Sequence, residues 1–105
     1  MNRLLNSRVP FTAVFAANDQ MAIGAALGLY RRSVRVPDDV SLVGFDDLAP
    51  AKFAIPPLTT VRQSVYEMGT HSARGVLGLL AGEVPELALP PPTLVPREST
   101  RRLLR

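Results

Sequence analysis

Two short apolar runs, Phe11–Ala17 and Val40–Phe45, flank one helix-length segment, and that order constrains the fold more than any other feature of the sequence. Both runs are continuous rather than alternating, the pattern of strands covered on both faces. Pro10 and Asn18-Asp19 bound the first; the turn Arg35-Val-Pro-Asp-Asp39 and Asp46-Asp47 bound the second. Gln20 to Arg32 contains no proline and no β-branched run. Asn18 is a suitable N-cap for it, and Asp19 sets negative charge at the positive end of the helix dipole. Strand, helix and strand in this order predict a βαβ unit, whose crossover makes the strands parallel. The fold class expected is therefore α/β.

The predicted helix carries Ile23, Leu27 and Tyr30 on one stripe and Ala22, Ala26 and Leu29 on the next, with Met21 and Ala25 widening both. A surface helix needs an apolar arc of only about 100°. This one should pack on its own sheet and on something else as well.

A third extended piece, Leu58–Val61, follows Pro56-Pro57 and leads into Arg62-Gln63. Ser64-Val-Tyr-Glu67 fits a capping box, and Val65, Met68, Ser72, Val76, Leu79 and Leu80 hold one helical face as far as Gly82. A proline-rich stretch, 85–92, precedes a last extended segment at Thr93–Val95, and the chain beyond Thr100 is expected to fray. The organisation expected is a leader at 1–8, a βαβ unit with a crossover strand at 9–63, a helix and return strand at 64–98, and a basic tail at 99–105.

Composition narrows the chemistry. A chain of 105 residues, 47% of them hydrophobic and 20% charged, suits one small globular domain. Its net charge is +3, but Arg101, Arg102 and Arg105 sit in the tail, and setting them aside leaves nine basic and nine acidic side chains. A neutral body lacks the cationic face that displaces counterions from DNA. Cysteine is absent and His71, between Glu67 and Arg74 on a polar helix face, is the single histidine, so no thiolate or histidine metal site is expected. No GxGxxG, P-loop or GxSxG motif occurs, which argues against an enzyme and against a cofactor. No apolar stretch approaches the roughly 18 residues of a membrane span and no signal peptide opens the chain, so a cytoplasmic protein is expected.

Ligands of open parallel sheets bind beyond the carboxyl ends of the strands. The polar residues follow that rule: Asn18-Asp19 after the first strand, Asp46-Asp47 after the second, Arg62-Gln63 after the third extended piece. An amide beside a carboxylate suits a hydroxyl-rich small ligand, and Phe15 or Phe45 could supply a stacking face. Local sequence leaves a second reading open, in which Asn18 only caps the helix and Asp46-Asp47 only satisfy their own turn.

Four separated motifs, Ala17-Asn-Asp-Gln-Met-Ala-Ile-Gly24, Val36-Pro-Asp-Asp-Val-Ser-Leu-Val-Gly-Phe-Asp-Asp47, Pro56-Pro-Leu-Thr-Thr-Val-Arg-Gln63 and Pro96-Arg-Glu-Ser-Thr100, resemble the C-terminal part of LacI/GalR-family transcriptional regulators. The resemblance spans residues 9 to 100. It implies part of a periplasmic-binding-protein-like (type I) sensor of two lobes, with an effector in the cleft between them. It also implies effector contacts at Asn18, Asp46 and Gln63, with Asp19, Phe45 and Asp47 supporting them. The effector expected is a sugar or a similar polar metabolite. Homodimerisation is expected through Ile23, Leu27 and Tyr30, and DNA contact only through a helix-turn-helix headpiece that this sequence does not contain. The remaining alternatives are a fragment of a periplasmic sugar-binding protein of a transporter, or a truncated remnant without function.

Overall fold

Both apolar runs become strands, shorter than their sequence limits: β1 (Ala13–Phe15) and β2 (Ser41–Val43). They pair in parallel with Val14 opposite Leu42, as the crossover requires. The pairing extends past both ends through Ser41 N donating to Thr12 O at 2.9 Å and Ala16 N to Val43 O at 2.8 Å. Between the strands runs α2 (Asp19–Tyr30), preceded in the chain by a short helix, α1 (Asn2–Asn6). Beyond β2 come a 3-10 turn at Ala49–Phe53, then β3 (Thr60–Arg62), α3 (Val65–Leu80) and β4 (Thr93–Val95), which pairs with β3. The computed structural model describes residues 1–104. They fall into two units, Met1–Arg62 with the residues from Leu94 onward, and Gln63–Thr93.

In the first unit β2 lies between β1 and β3. Parallel bridges join Val43 to Thr59 and Asp46 to Arg62, with Gly44 N donating to Thr59 O at 2.9 Å and Asp46 N to Val61 O at 2.8 Å. The core is small: Ala16, Ala22, Leu42, Ala51 and Leu58, with Val14, Ala25, Ala26, Val36 and Ala54 packed against it. Strand β1 departs from expectation. Its residues alternate in exposure, and Phe15 is 64% exposed, because α2 covers the Val14 side alone. The continuous apolar run therefore does not mark coverage on both faces among the described residues.

The helix itself forms as expected. Asn18 stands in extended backbone and its Oδ1 accepts from Met21 N at 2.8 Å, satisfying one of the orphan amides of the first turn. Ala22 and Leu29 are fully buried, whereas Met21, Leu27 and Tyr30 are exposed and Ile23 is half-buried. One of the two apolar stripes is thus used inside this unit and the other is open.

The two ends of the sequence are more ordered than expected. In place of a plain leader the chain forms α1, held to the region of α2 at two points: Asn6 Oδ1 accepts from Arg32 Nη2 at 3.0 Å, and the Met1 side chain lies so near Gly28 that a Cβ there would stand 3.0 Å from it. At the other end Arg101 does not fray. Its guanidinium reaches Asp38 at 3.0 Å and its backbone exchanges hydrogen bonds with the Ser41 hydroxyl. Arg102 and the two leucines after it are exposed, and Arg105 lies outside the described residues.

The second unit consists mainly of α3 and the proline-rich segment after it. Ser64 is the N-cap residue but its side chain makes no capping bond. The capping box expected from Ser64 and Glu67 is not formed, since the chain enters at ψ 70° rather than in extended backbone; the Ser64 carbonyl still accepts the first helical bond, from Met68 N. The stripe covered within the unit also differs from the one expected. Gly75 is buried against Leu87, Gly78 faces Glu83 and Pro85, and Met68 and His71 are half-buried, while Val65, Val76, Leu79 and Leu80 are exposed. Small residues let the proline-rich chain approach this side of the helix closely at Gly75 and Gly78, and His71 is half-buried rather than fully solvated.

Candidate functional site

The carboxyl ends of β1, β2 and β3 are held in step by backbone bonds: Ala16 to Val43, Asp19 to Phe45 and Asp46 to Val61. The residues that follow the three strands, Asn18, Asp46 and Arg62, consequently share one rim of the first unit. Asn18 and Asp46 are half-buried, and Asp46 has φ 107°, a left-handed backbone that turns the chain sharply at the end of its strand. The cap of α2 uses only the Asn18 oxygen. Its amide N–H groups are thus the part suited to a ligand, beside a carboxylate that can accept from two hydroxyls. Gln63 is half-buried and opens the second unit directly after Arg62.

Asp19 faces the other way. It is fully buried, its Oδ1 accepting from the Thr60 hydroxyl at 2.5 Å and its Oδ2 from Leu48 N at 2.7 Å. Its side chain thereby ties the first turn of α2 to β3 and to the loop after β2, and serves the framework behind the rim. Gly44 belongs to the same arrangement, because a Cβ there would collide with Asp19 Oδ1 and come within 2.9 Å of Leu58. Phe45 is half-buried and meets Phe15 edge to face, with ring centroids 6.5 Å apart.

Asp47 is also engaged by protein. Its side chain is 4% exposed and receives Arg97 Nη2 at 2.6 Å on one oxygen and Arg62 Nε at 2.7 Å on the other. Burial pushes its carboxyl up, but the hydrogen bonds and charges of Arg97 and Arg62 outweigh this and hold it below its ordinary value. Arg97 carries the C-terminal motif into the framework, with Nη1 on Leu58 O at 2.9 Å and its backbone N on the Thr59 hydroxyl at 2.9 Å. Two residues on, the Ser99 hydroxyl donates to Leu42 O at 2.5 Å and accepts from Thr59 N at 2.8 Å.

Residues 1–100 match the family model of the periplasmic binding protein-like domain. The chain belongs to this family, in its LacI-type branch. It is 39% identical over 98% of its length to the probable HTH-type transcriptional repressor ExuR of Bacillus subtilis, of which it covers 32%. To the HTH-type transcriptional repressor PurR of Haemophilus influenzae it is 43% identical over 73% of its length, covering 23% of that protein. A crystal structure of the lac repressor dimer bound to operator and the anti-inducer ONPF superposes with a TM-score of 0.86 at 38% identity, over 93% of this chain and 35% of that one. The chain thus spans about a third or less of the length of these relatives.

In this LacI-type domain, what sequence reasoning missed is the joint hold of Arg62 and Arg97 on Asp47: Arg62 was read only as half of a polar pair on the rim, and Arg97 only as part of a motif. The available signal was a lone cation directly after a predicted strand in one case, and directly after Pro96 in the other. Their hold on Asp47 makes stability fall in acid. A carboxyl whose folded pKa is depressed contributes stability above its unfolded value, near 3.9, and loses it as pH falls through the folded value. Asp39, held at about 2 by the Arg35 side chain and backbone N–H, acts in the same direction. Denaturation midpoints measured from pH 6 to pH 2.5 should therefore drop below about pH 4. Asp47→Asn should start less stable and flatten that slope; an unchanged slope would show that the pair contributes nothing.

Proposed function

We propose that this chain is the effector-sensing part of a DNA-binding transcriptional regulator. A small polar metabolite, a sugar or a chemically similar molecule, binds at Asn18 and Asp46. The operator is reached only through a headpiece outside these residues. Effector binding acts by favouring one arrangement of the sensor over another, so its influence equals its difference in affinity for the two. The reading is supported by relatives that carry the HTH-type repressor name, and by the repressor dimer on its operator among the structural neighbours. The observation that carries it is the half-buried Asn18 and Asp46 at the ends of adjacent parallel strands, with Asp19 and Asp47 committed to the framework around them.

The test uses the polypeptide translated from the whole reading frame that contains this chain. Asp46→Ala should weaken effector binding by about tenfold or more, the loss of one hydrogen bond to a charged group, while effector-free operator binding stays intact. Equal effector affinity in the two proteins would remove Asp46 from the site.

Self-association belongs to the same reading. Leu27 and Tyr30 are 49% and 80% exposed, and Tyr30 lines an open apolar depression with Val34, Val36, Ile55 and Pro56. A second copy covering this face explains why both stripes of α2 are apolar. In sedimentation, the parent protein should run as a dimer and Leu27→Asp as a monomer; a dimeric Leu27→Asp would place the contact elsewhere.

A further inference from the structure

We propose that Arg62 contacts the effector and selects an anionic polyol, a metabolite with several hydroxyls and one carboxylate or phosphate group; this rests on the sensor reading above. The starting point is Asp47, whose two oxygens are held by two different arginines. Arg97 is the structural partner of the pair. It is 13% exposed, bonds Asp47 at 2.6 Å and spends a second donor on Leu58 O, which already compensates the buried carboxylate.

Arg62 differs in each respect. Its side chain is 53% exposed, it is the last residue of β3, and its backbone is the bridge partner of Asp46. The bond to Asp47 uses Nε, which fixes the plane of the guanidinium and leaves the four N–H groups of its terminal nitrogens for outward partners. Asp47 is therefore a positioning residue, acting on a ligand only through Arg62. One carboxylate shared by two guanidiniums leaves an excess positive charge on the rim. Asp46, on the neighbouring strand end, supplies negative charge and acceptors.

A ligand that matches both has hydroxyls directed at Asn18 and Asp46 and an anionic group directed at Arg62. A neutral sugar would leave the positioned fork unpaired. An anion without hydroxyls would face the Asp46 carboxylate with nothing to donate to it. The planar fork of arginine suits carboxylate and phosphate oxygens alike, so the shared chemistry is the anionic group.

The experiment is calorimetric titration of the polypeptide from the complete reading frame with three matched sets: neutral hexoses, their uronic acids and their 6-phosphates. At least one acid or phosphate should bind ten times more tightly than its neutral parent, and the set it belongs to identifies the anionic group. That preference should fall as ionic strength rises from 0.05 to 0.5 M on the wild-type protein, which requires no variant to fold. Arg62→Gln should collapse the ratio to near one, and Arg62→Lys should retain part of it. Neutral hexoses binding as tightly as their acids, or a ratio that survives Arg62→Gln, overturns the assignment of Arg62 and leaves the sensor reading standing. Binding of no member of the three sets overturns the anionic-polyol assignment and counts against the sensor reading for sugars as well.

Discussion

Asp19→Ala should lower the unfolding free energy by about 3 kcal/mol, more than a hundredfold in the folding equilibrium. The carboxylate is fully buried and accepts from the Thr60 hydroxyl and from Leu48 N, so truncation strands two donors away from water. The helix cap is untouched, because it belongs to Asn18. Asp19→Asn separates charge from hydrogen bonding. Its amide oxygen can still accept from Leu48 N, and its amino group can donate to the Thr60 oxygen, so it should lose about half as much. Urea unfolding followed by circular dichroism reads all three proteins. Equal stability of Asp19→Ala and the parent would mean that Asp19 is not the tie between α2, β3 and the loop after β2.

The second large effect is expected at Gly44→Ala, at about 2 to 3 kcal/mol. The cause is volume, since Gly44 has no positive φ and its backbone suits any residue. A Cβ there would run into Asp19 Oδ1, stand 2.9 Å from Leu58 Cδ2 and 3.3 Å from Asp19 Cα, and the last of these is backbone that cannot swing aside. The two sites are therefore coupled. Asp19→Ala removes the oxygen that the new methyl group would strike, so the double variant should be less destabilised than the sum of the singles. Strict additivity would show that the two residues do not share this space.

How much of this was legible in the sequence follows from the range of each interaction. The βαβ order was legible because it rests on continuous runs and on an Asn18 cap that bonds three residues ahead. The roles of the neighbours were not. Asn18 and Asp19 look alike locally, as do Asp46 and Asp47, and the partners of Asp19 and Asp47 lie far along the chain. Thr60 lies 41 residues from Asp19, and Arg97 lies 50 from Asp47. The order of the tail was hidden for the same reason, since Arg101 meets Asp38 across 63 residues. The capping box failed differently: Ser64 and Glu67 have the right identities, but the path of the chain into α3 decides whether the hydroxyl can reach an amide.

Ser99 also has a temporal side. Its hydroxyl and carbonyl complete the hydrogen bonding of Leu42, 57 residues earlier. On a ribosome adding 5–20 residues per second, roughly 3 to 11 s separate the emergence of the two. Throughout that interval the Leu42 N–H and carbonyl, just ahead of the stretch that β3 covers, form a short unsealed piece of strand edge. Native closure thus waits for the C-terminal motif to be made, and the window for misassembly is set by the speed of translation.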